Sequence, residues 1–257
     1  MWRRYAGVLR PGLARRSWVL FMELTLTLPP HLADILAQNE STRQKFTALR
    51  AANRQRNARV EEAADRFVEQ VARTFEPQLI PNVGDKFPDF LLPNQYGRMS
   101  DRDAFMQGNP AIISFNRGHW CFYCMLELSL WSQALSQAGA LPCRVVSIIP
   151  ERGMYARVLK DRCQFSFPVL SDVDNGFGMS LGLTVALTEE LRGYYYERND
   201  DIGLFQGNSG WFLPVPATFV VDSDSVILAR FAEPEYRTRM DPGEAIRWAT
   251  NAGGRRH

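Results

Sequence analysis

The chain has 257 residues, 46% hydrophobic and 23% charged, with 30 basic against 28 acidic side chains. That balance fits one globular domain plus an extension, or two small ones, and a net charge of +2 leaves no electrostatic footprint for nucleic acid. No run approaches the roughly 18 apolar residues of a membrane helix. Four cysteines, two of them spaced Cys-x-x-Cys, make no secreted disulfide framework; in a reducing, cytoplasmic setting that spacing reads as redox or metal chemistry.

In chain order, residues 1–29 form an N-terminal tail. It carries five arginines (Arg3, Arg4, Arg10, Arg15, Arg16), and the apolar patch at 18–22 is too short for a secretory core. The tail reads as sequence upstream of a true start at Met22, or as an organelle presequence. Residues 30–80 are helical in character. Leu32, Ile35 and Leu36 form one apolar stripe, and Val60, Ala63, Phe67, Val71 and Phe75 a second. The Arg-, Gln- and Asn-rich stretch between them, 43–59, reads as a solvated helix face. A sharper option is an arm packed on the main domain or a partner subunit.

The main domain is expected over 81–250, with a disordered tail at 251–257. Residues 83–93 are Pro- and Gly-punctuated and extended, and 94–97 read as a turn. A buried strand is expected at 111–115, a helix over 125–135, a strand at 144–149 and a helix over 154–162. A short strand at 167–171 follows, with Asp172 or Asp174 to cap the next helix. Residues 184–214, rich in Gly and aromatics, read as an irregular insertion or hairpin. Strands at 217–222 and 226–231 share a turn at Asp222-Ser223-Asp224-Ser225, and Pro242 starts a last helix. This alternation outlines an α/β thioredoxin-like fold, a central mixed sheet flanked by helices, with an N-terminal helical extension.

The chemistry concentrates at Arg117-Gly118-His119-Trp120-Cys121-Phe122-Tyr123-Cys124. Both cysteines fall where a strand runs into the first turn of a helix, whose free N–H groups and dipole favour a thiolate. Such positions, helped by Arg117 and protonated His119, bring a thiol from about 8.5 to roughly 3.5–7.5. Residues three apart share a helix face, so Cys121 and Cys124 can cycle between dithiol and disulfide. Trp120, Phe122 and Tyr123 wall the thiols from water. His119 reads as a proton shuttle or an exposed bystander, and Glu127 as a proton acceptor for the inner thiol or a surface carboxylate. Cys143 and Cys163 read as buried, inert thiols, with a second resolving cysteine as the alternative. Zinc needs four ligands; these two cysteines lack partner spacing, and His31 and His257 lie outside the fold segment. No metal and no cofactor are expected. Phe177, Tyr194, Tyr195, Tyr196, Trp211 and Phe212 form a substrate wall or ordinary core.

Four segments carry a resemblance. They are Val83-Gly84-Asp85-x-Phe87-Pro88-Asp89-Phe90, the run from Arg117 to Leu128, Phe167-Pro168-Val169-Leu170-Ser171-Asp172, and the run from Leu213 to Asp222. In this order they make residues 82 to 248 resemble the peroxiredoxin-like proteins of the alkyl hydroperoxide reductase/thiol-specific antioxidant superfamily. The resemblance implies two frames. In the peroxiredoxin pattern P-x-x-x-T-x-x-C, Cys124 takes the peroxide-attacking place, with Cys121 at the Thr, Arg117 at the Pro and Pro216 at the distal Arg. The hydroxyl and guanidinium that orient peroxide are then expected to be missing. In the thioredoxin frame W-C-x-x-C, Cys121 attacks a disulfide, Cys124 resolves it, and Val215-Pro216 supplies a cis-proline beside the sulfurs. The implied function is a thiol–disulfide oxidoreductase. The first alternative is a thioredoxin-dependent peroxidase in which Cys124 is oxidised and Cys121 resolves; the second is an interaction protein with a vestigial Cys-x-x-Cys. Implied partners are thioredoxin or another dithiol reductant, and a hydroperoxide or protein disulfide; nucleic acid and membrane are not expected, and a homodimer stays open.

Overall fold

A computed structural model describes residues 27–139 and 143–253. The Arg-rich start, the proposed Met22 start and residues 254–257 lie outside the described residues.

The centre is β3 (Ala111–Phe115), whose five residues are all buried. It pairs in parallel with β4 (Arg144–Ile149) and antiparallel with β8 (Ala217–Val221). The first β5 residue, Val169, lies opposite Ser147 where β5 (Val169–Ser171) extends the parallel side, and β9 (Ile227–Ala232) extends the antiparallel side. The order β5-β4-β3-β8-β9 is a mixed sheet, and β-branched apolar strands buried on both faces explain its near-continuous hydrophobic runs. Asp222 closes the β8–β9 turn: its carboxylate accepts the N–H groups of Asp224 at 2.9 Å and Val226 at 2.8 Å. A small hairpin, β1 (Leu91–Pro93) with β2 (Met99–Asp101), precedes the short helix α4 (Arg102–Met106).

The helix after β3, α5 (Phe122–Ala138), starts three residues earlier than expected and has nine consecutive buried residues from Tyr123 to Trp131. A helix apolar all round must be covered on every side. The sheet covers one side; α1 (Pro30–Ala37) and α2 (Thr42–Arg56) cover another. The extension is therefore packed onto the main domain rather than solvated. Phe46 and Leu49 of α2 and Ala63, Phe67 and Val71 of α3 (Ala58–Thr74) belong to the same core as Trp120, Cys121 and Cys124. Burial of Phe46 and Leu49 stabilises this docking by about 1.5–3 kcal/mol each. The arginines of the polar stretch bind across the α2–α3 pair: Arg50 and Arg54 reach Asp65 at 2.7 and 2.5 Å. His31, expected outside the fold, packs edge-on against Phe122 with ring centroids 5.0 Å apart.

Residues 184–214 are more ordered than expected. Strands β6 (Thr184–Ala186) and β7 (Phe212–Pro214) pair as hairpin arms around α8 (Glu189–Glu197) and α9 (Ile202–Gln206). Between β4 and β5 runs α6 (Gly153–Cys163), and α7 (Gly176–Ser180) follows β5. Asp172 accepts the N–H groups of Phe177 and Gly178 at 3.1 and 2.8 Å, as expected of a helix-start acid. The last helix, α10 (Pro242–Gly253), runs through the first residues of the expected disordered tail, with the Thr250 hydroxyl donating back to Ile246 O at 2.8 Å. Pro216 is a second correction: every peptide bond among the described residues is trans. Pro216 lies in the two-residue passage between β7 and β8, and the trans form is the one that even X-Pro bonds prefer.

Candidate active site

Strand β3 ends in a polar clasp. The Asn116 N–H donates to Ile148 O at 2.8 Å, and its side-chain amide donates to the hydroxyls of Ser114 and Ser147 at 2.9 and 3.3 Å. The chain then turns at Gly118, where φ is +140° and a Cβ would stand 2.6 Å from the Glu151 carboxyl. Only glycine fits both demands. Glu151 is the anchor of this turn, accepting the His119 N–H at 2.8 Å and lying 2.8 Å from His119 Nδ1. His119 is also stacked on Tyr155 and meets Phe205 edge-on. It therefore faces Glu151 rather than solvent, and it takes no part in the wall of the cavity described below.

Cys121 is the N-cap residue of α5 and Cys124 its third helical residue. Both are free thiols and both are buried, at 4% and 0% exposure. Burial alone raises a thiol. For Cys121 that rise is outweighed by the Cys124 thiol, the Arg117 and Arg239 guanidiniums and the Cys124 backbone N–H, which together hold it at about 6. Burial and the adjoining Cys121 charge push Cys124 well above the ordinary range. The pair thus loses one proton easily and the second with difficulty. Cys124 is not without donors: the Arg117 N–H lies 3.3 Å from its sulfur and Arg239 Nη2 3.8 Å. These contacts hold the second sulfur in place while the charge rests on Cys121.

Arg117 is 2% exposed and no carboxylate pairs with it among the described residues. Its Nη2 donates to the Tyr195 hydroxyl at 3.1 Å, and its guanidinium carbon lies 4.0 Å from the Tyr236 ring centroid and 5.1 Å from that of Trp120. A buried cation walled by rings calls for an anion. Burial opposes its charge, but the Tyr195 hydroxyl and Cys121 more than restore it, so Arg117 stays protonated.

Glu127 is buried, not a surface carboxylate. It accepts Arg239 Nε at 2.5 Å and the Ser114 hydroxyl at 3.0 Å. Arg239 also donates to the backbone carbonyls of Tyr236 and Thr238. The resulting line runs Glu127, Arg239, Cys124, Cys121, Arg117. Two guanidiniums thus stand near the thiols, Arg117 and, from the segment between β9 and α10, Arg239. Arg239 was invisible in the sequence because nothing in Tyr236-Arg237-Thr238-Arg239 signals that it folds back 115 residues onto Cys124. Val215 and Pro216 are buried beside β8, and the Val215 N–H is already bonded to Leu183 O at 2.6 Å. Cys143 and Cys163 lie away from this line, and burial lifts them to about 11 and about 12.

A cavity of about 280 Å³ opens over Cys121. Its floor is Trp120, Cys121, Phe122 and Tyr123; its roof is the α2–α3 junction from Asn53 to Ala64; Cys124 does not reach it. Tyr195, expected as wall or core, lines it, whereas Phe177 belongs to the core on the other face of the sheet. The Glu61 carboxyl, buried in the roof and raised by that burial, is held by Arg237 at 3.3 Å.

Residues 83–230, more than half of the chain, match the model of the AhpC/TSA family. A search of curated proteins found no match. Among solved structures, peroxidoxin BcpB from Mycobacterium tuberculosis is 18% identical with a TM-score of 0.51, over 68% of this chain and 98% of that one. A thiol peroxidase from Chromobacterium violaceum is 16% identical with a TM-score of 0.48, over 68% and 90%. Mycobacterium tuberculosis AhpC is 15% identical with a TM-score of 0.48, over 66% and 92%. The first of these likenesses carries the thioredoxin-like fold.

Proposed function

The chain belongs to the AhpC/TSA family, and from that premise we propose that it is a thiol peroxidase in which Cys121 is the nucleophile and Cys124 resolves. The observation that carries this reading is a buried guanidinium, Arg117, with no carboxylate partner among the described residues, lining the same cavity as the Cys121 sulfur. The Cys121 thiolate attacks the distal oxygen of a hydroperoxide. The O–O bond breaks, the sulfur becomes a sulfenic acid, and the leaving alkoxide takes a proton from water to depart as the alcohol. The Cys124 thiol then attacks the sulfenic sulfur; hydroxide leaves with the thiol proton as water, and the Cys121–Cys124 disulfide forms. An external dithiol such as thioredoxin returns the pair to the reduced state by exchange, two electrons per cycle. A reducing compartment of cytoplasmic type suits that last step.

Two features weigh against a protein disulfide as substrate. The Val215 N–H that would pair an incoming strand is bonded to Leu183 O. The sulfur itself lies under the roof helices, on the floor of a cavity sized for a small molecule. Stopped-flow mixing of hydrogen peroxide with the reduced protein tests the assignment. A Cys124→Ser variant should trap a sulfenate on Cys121 in a single fast turnover. A sulfenate on Cys124 in Cys121→Ser at undiminished rate would reverse the roles. Slow peroxide consumption beside brisk insulin reduction would favour disulfide exchange.

A further inference from the structure

The cavity over Cys121 is larger than hydrogen peroxide requires. At about 280 Å³ it holds the volume of roughly nine waters at ~30 Å³ each, a size suited to a small organic molecule. Its charge is uneven. Val60, Ala64 and Tyr236 line it with apolar and ring surface, while Arg56 and Arg198 stand exposed at its solvent end. Both guanidiniums lie over the Phe122 ring, their central carbons 5.7 and 5.3 Å from its centroid. One comes from the last turn of α2 and the other from the end of α8, so the ring brings together two cations that chain order separates. Arg56 leans on His31 at 2.8 Å and Arg198 on Asp200 at 2.9 Å, leaving one carboxylate between two cations. The acid among the lining residues, Glu61, lies deeper and is held by Arg237.

We propose that this cavity selects organic hydroperoxides that carry a carboxylate. The hydroperoxide sits at Cys121, the hydrocarbon lies against the ring walls, and the carboxylate lies between Arg56 and Arg198. This deepens the peroxidase reading and rests on it. Charge-assisted hydrogen bonds at a partly exposed site supply the discrimination.

The test uses the full reduced chain and two probe pairs. The first compares 4-(2-hydroperoxypropan-2-yl)benzoate with cumene hydroperoxide, the same skeleton without the carboxylate. The second, free of peroxide chemistry, compares 4-isopropylbenzoate with 4-isopropylbenzamide as protectants of Cys121 against iodoacetamide. The carboxylate hydroperoxide should react roughly tenfold faster at limiting concentration. That preference should shrink with added salt and vanish in the Arg56→Gln/Arg198→Gln double variant. The benzoate should protect Cys121 and the benzamide should not. Equal rates and equal protection would overturn the carboxylate site while leaving the peroxidase reading intact. Protection by the benzoate with neither hydroperoxide reduced would overturn the peroxidase reading and leave the anion site standing. The salt series on the native chain decides the matter even where a variant folds poorly.

Discussion

The two faces of the central sheet come from the same strands and do different work. On one face Ile113 and Phe115 of β3, Val146 and Ile148 of β4, and Phe219 of β8 pack with Phe87, Phe90 and Phe177. Ring centroids there lie 5.1–6.1 Å apart. On the other face the alternate residues Ile112, Val145, Ile149 and Val220 meet α5, together with Ser114 and the line from Glu127 to Arg117. A shift of one residue along a strand thus separates a dry aromatic core from buried ions. Stability can be concentrated on the first face, so the second can carry groups whose burial is costly but chemically useful.

The comparison can be broken in graded ways. The largest effect is expected at Cys121. Its replacement by Ser should lower peroxide reduction roughly a thousandfold or more, since the nucleophile is gone, while thermal unfolding stays close to that of the parent. Next comes a matched pair. Phe219→Ala on the aromatic face and Glu127→Ala on the charged face should each cost about 3–5 kcal/mol in denaturant unfolding, one by leaving a cavity, the other by leaving the Arg239 charge unpaired. Only the second should move the pH dependence of thiol alkylation. If Phe219→Ala moved it equally, the two faces would not be separable.

A smaller effect sharpens the electrostatic side. In the native protein Cys121 sits at about 6, so iodoacetamide reactivity should be full above that pH and fall away as the pH drops through it. Arg117→Met removes the buried cation that lowers this thiol most, and the midpoint should climb toward the ordinary thiol value of about 8.5. An unchanged midpoint would remove Arg117 from the account of activation. The smallest effect is expected at Cys143, half-buried and lifted to about 11 by burial alone. Cys143→Ser should change stability by about 0.5 kcal/mol or less and leave alkylation kinetics at neutral pH untouched, which mass spectrometry of labelled peptides would show.

What could be read from the sequence follows the range of the interactions. Strands β3, β4, β8 and β9, the turn at Asp222 and the cysteines at a helix start all rest on neighbours within a few residues. The helix over α5 was legible, but its partners were not. Glu127 looks like a surface acid because sequence offers no view of Ser114 and Arg239 closing over it. Large apolar residues at Met125, Leu126, Leu128, Leu130 and Trp131 fall on more than one face of this helix, which is the signal that a second layer covers it. Arg56 and Arg198 meet over Phe122 and Arg239 reaches Cys124 from distant segments, and no local pattern marks any of them. The motif leaves Pro216 at the family's distal Arg place, and the fold brings positive charge to the thiols from elsewhere in the chain.

The uncompensated guanidinium of Arg117 has an energetic consequence beyond activation. Oxidation to the disulfide removes the negative sulfur and strands that cation among Trp120, Tyr195 and Tyr236. The dithiol form keeps the favourable pairing and the disulfide form loses it, so the couple is displaced toward the reduced side, to a less negative reduction potential. In the proposed cycle each turnover would then end in a bridge that an incoming electron donor opens downhill.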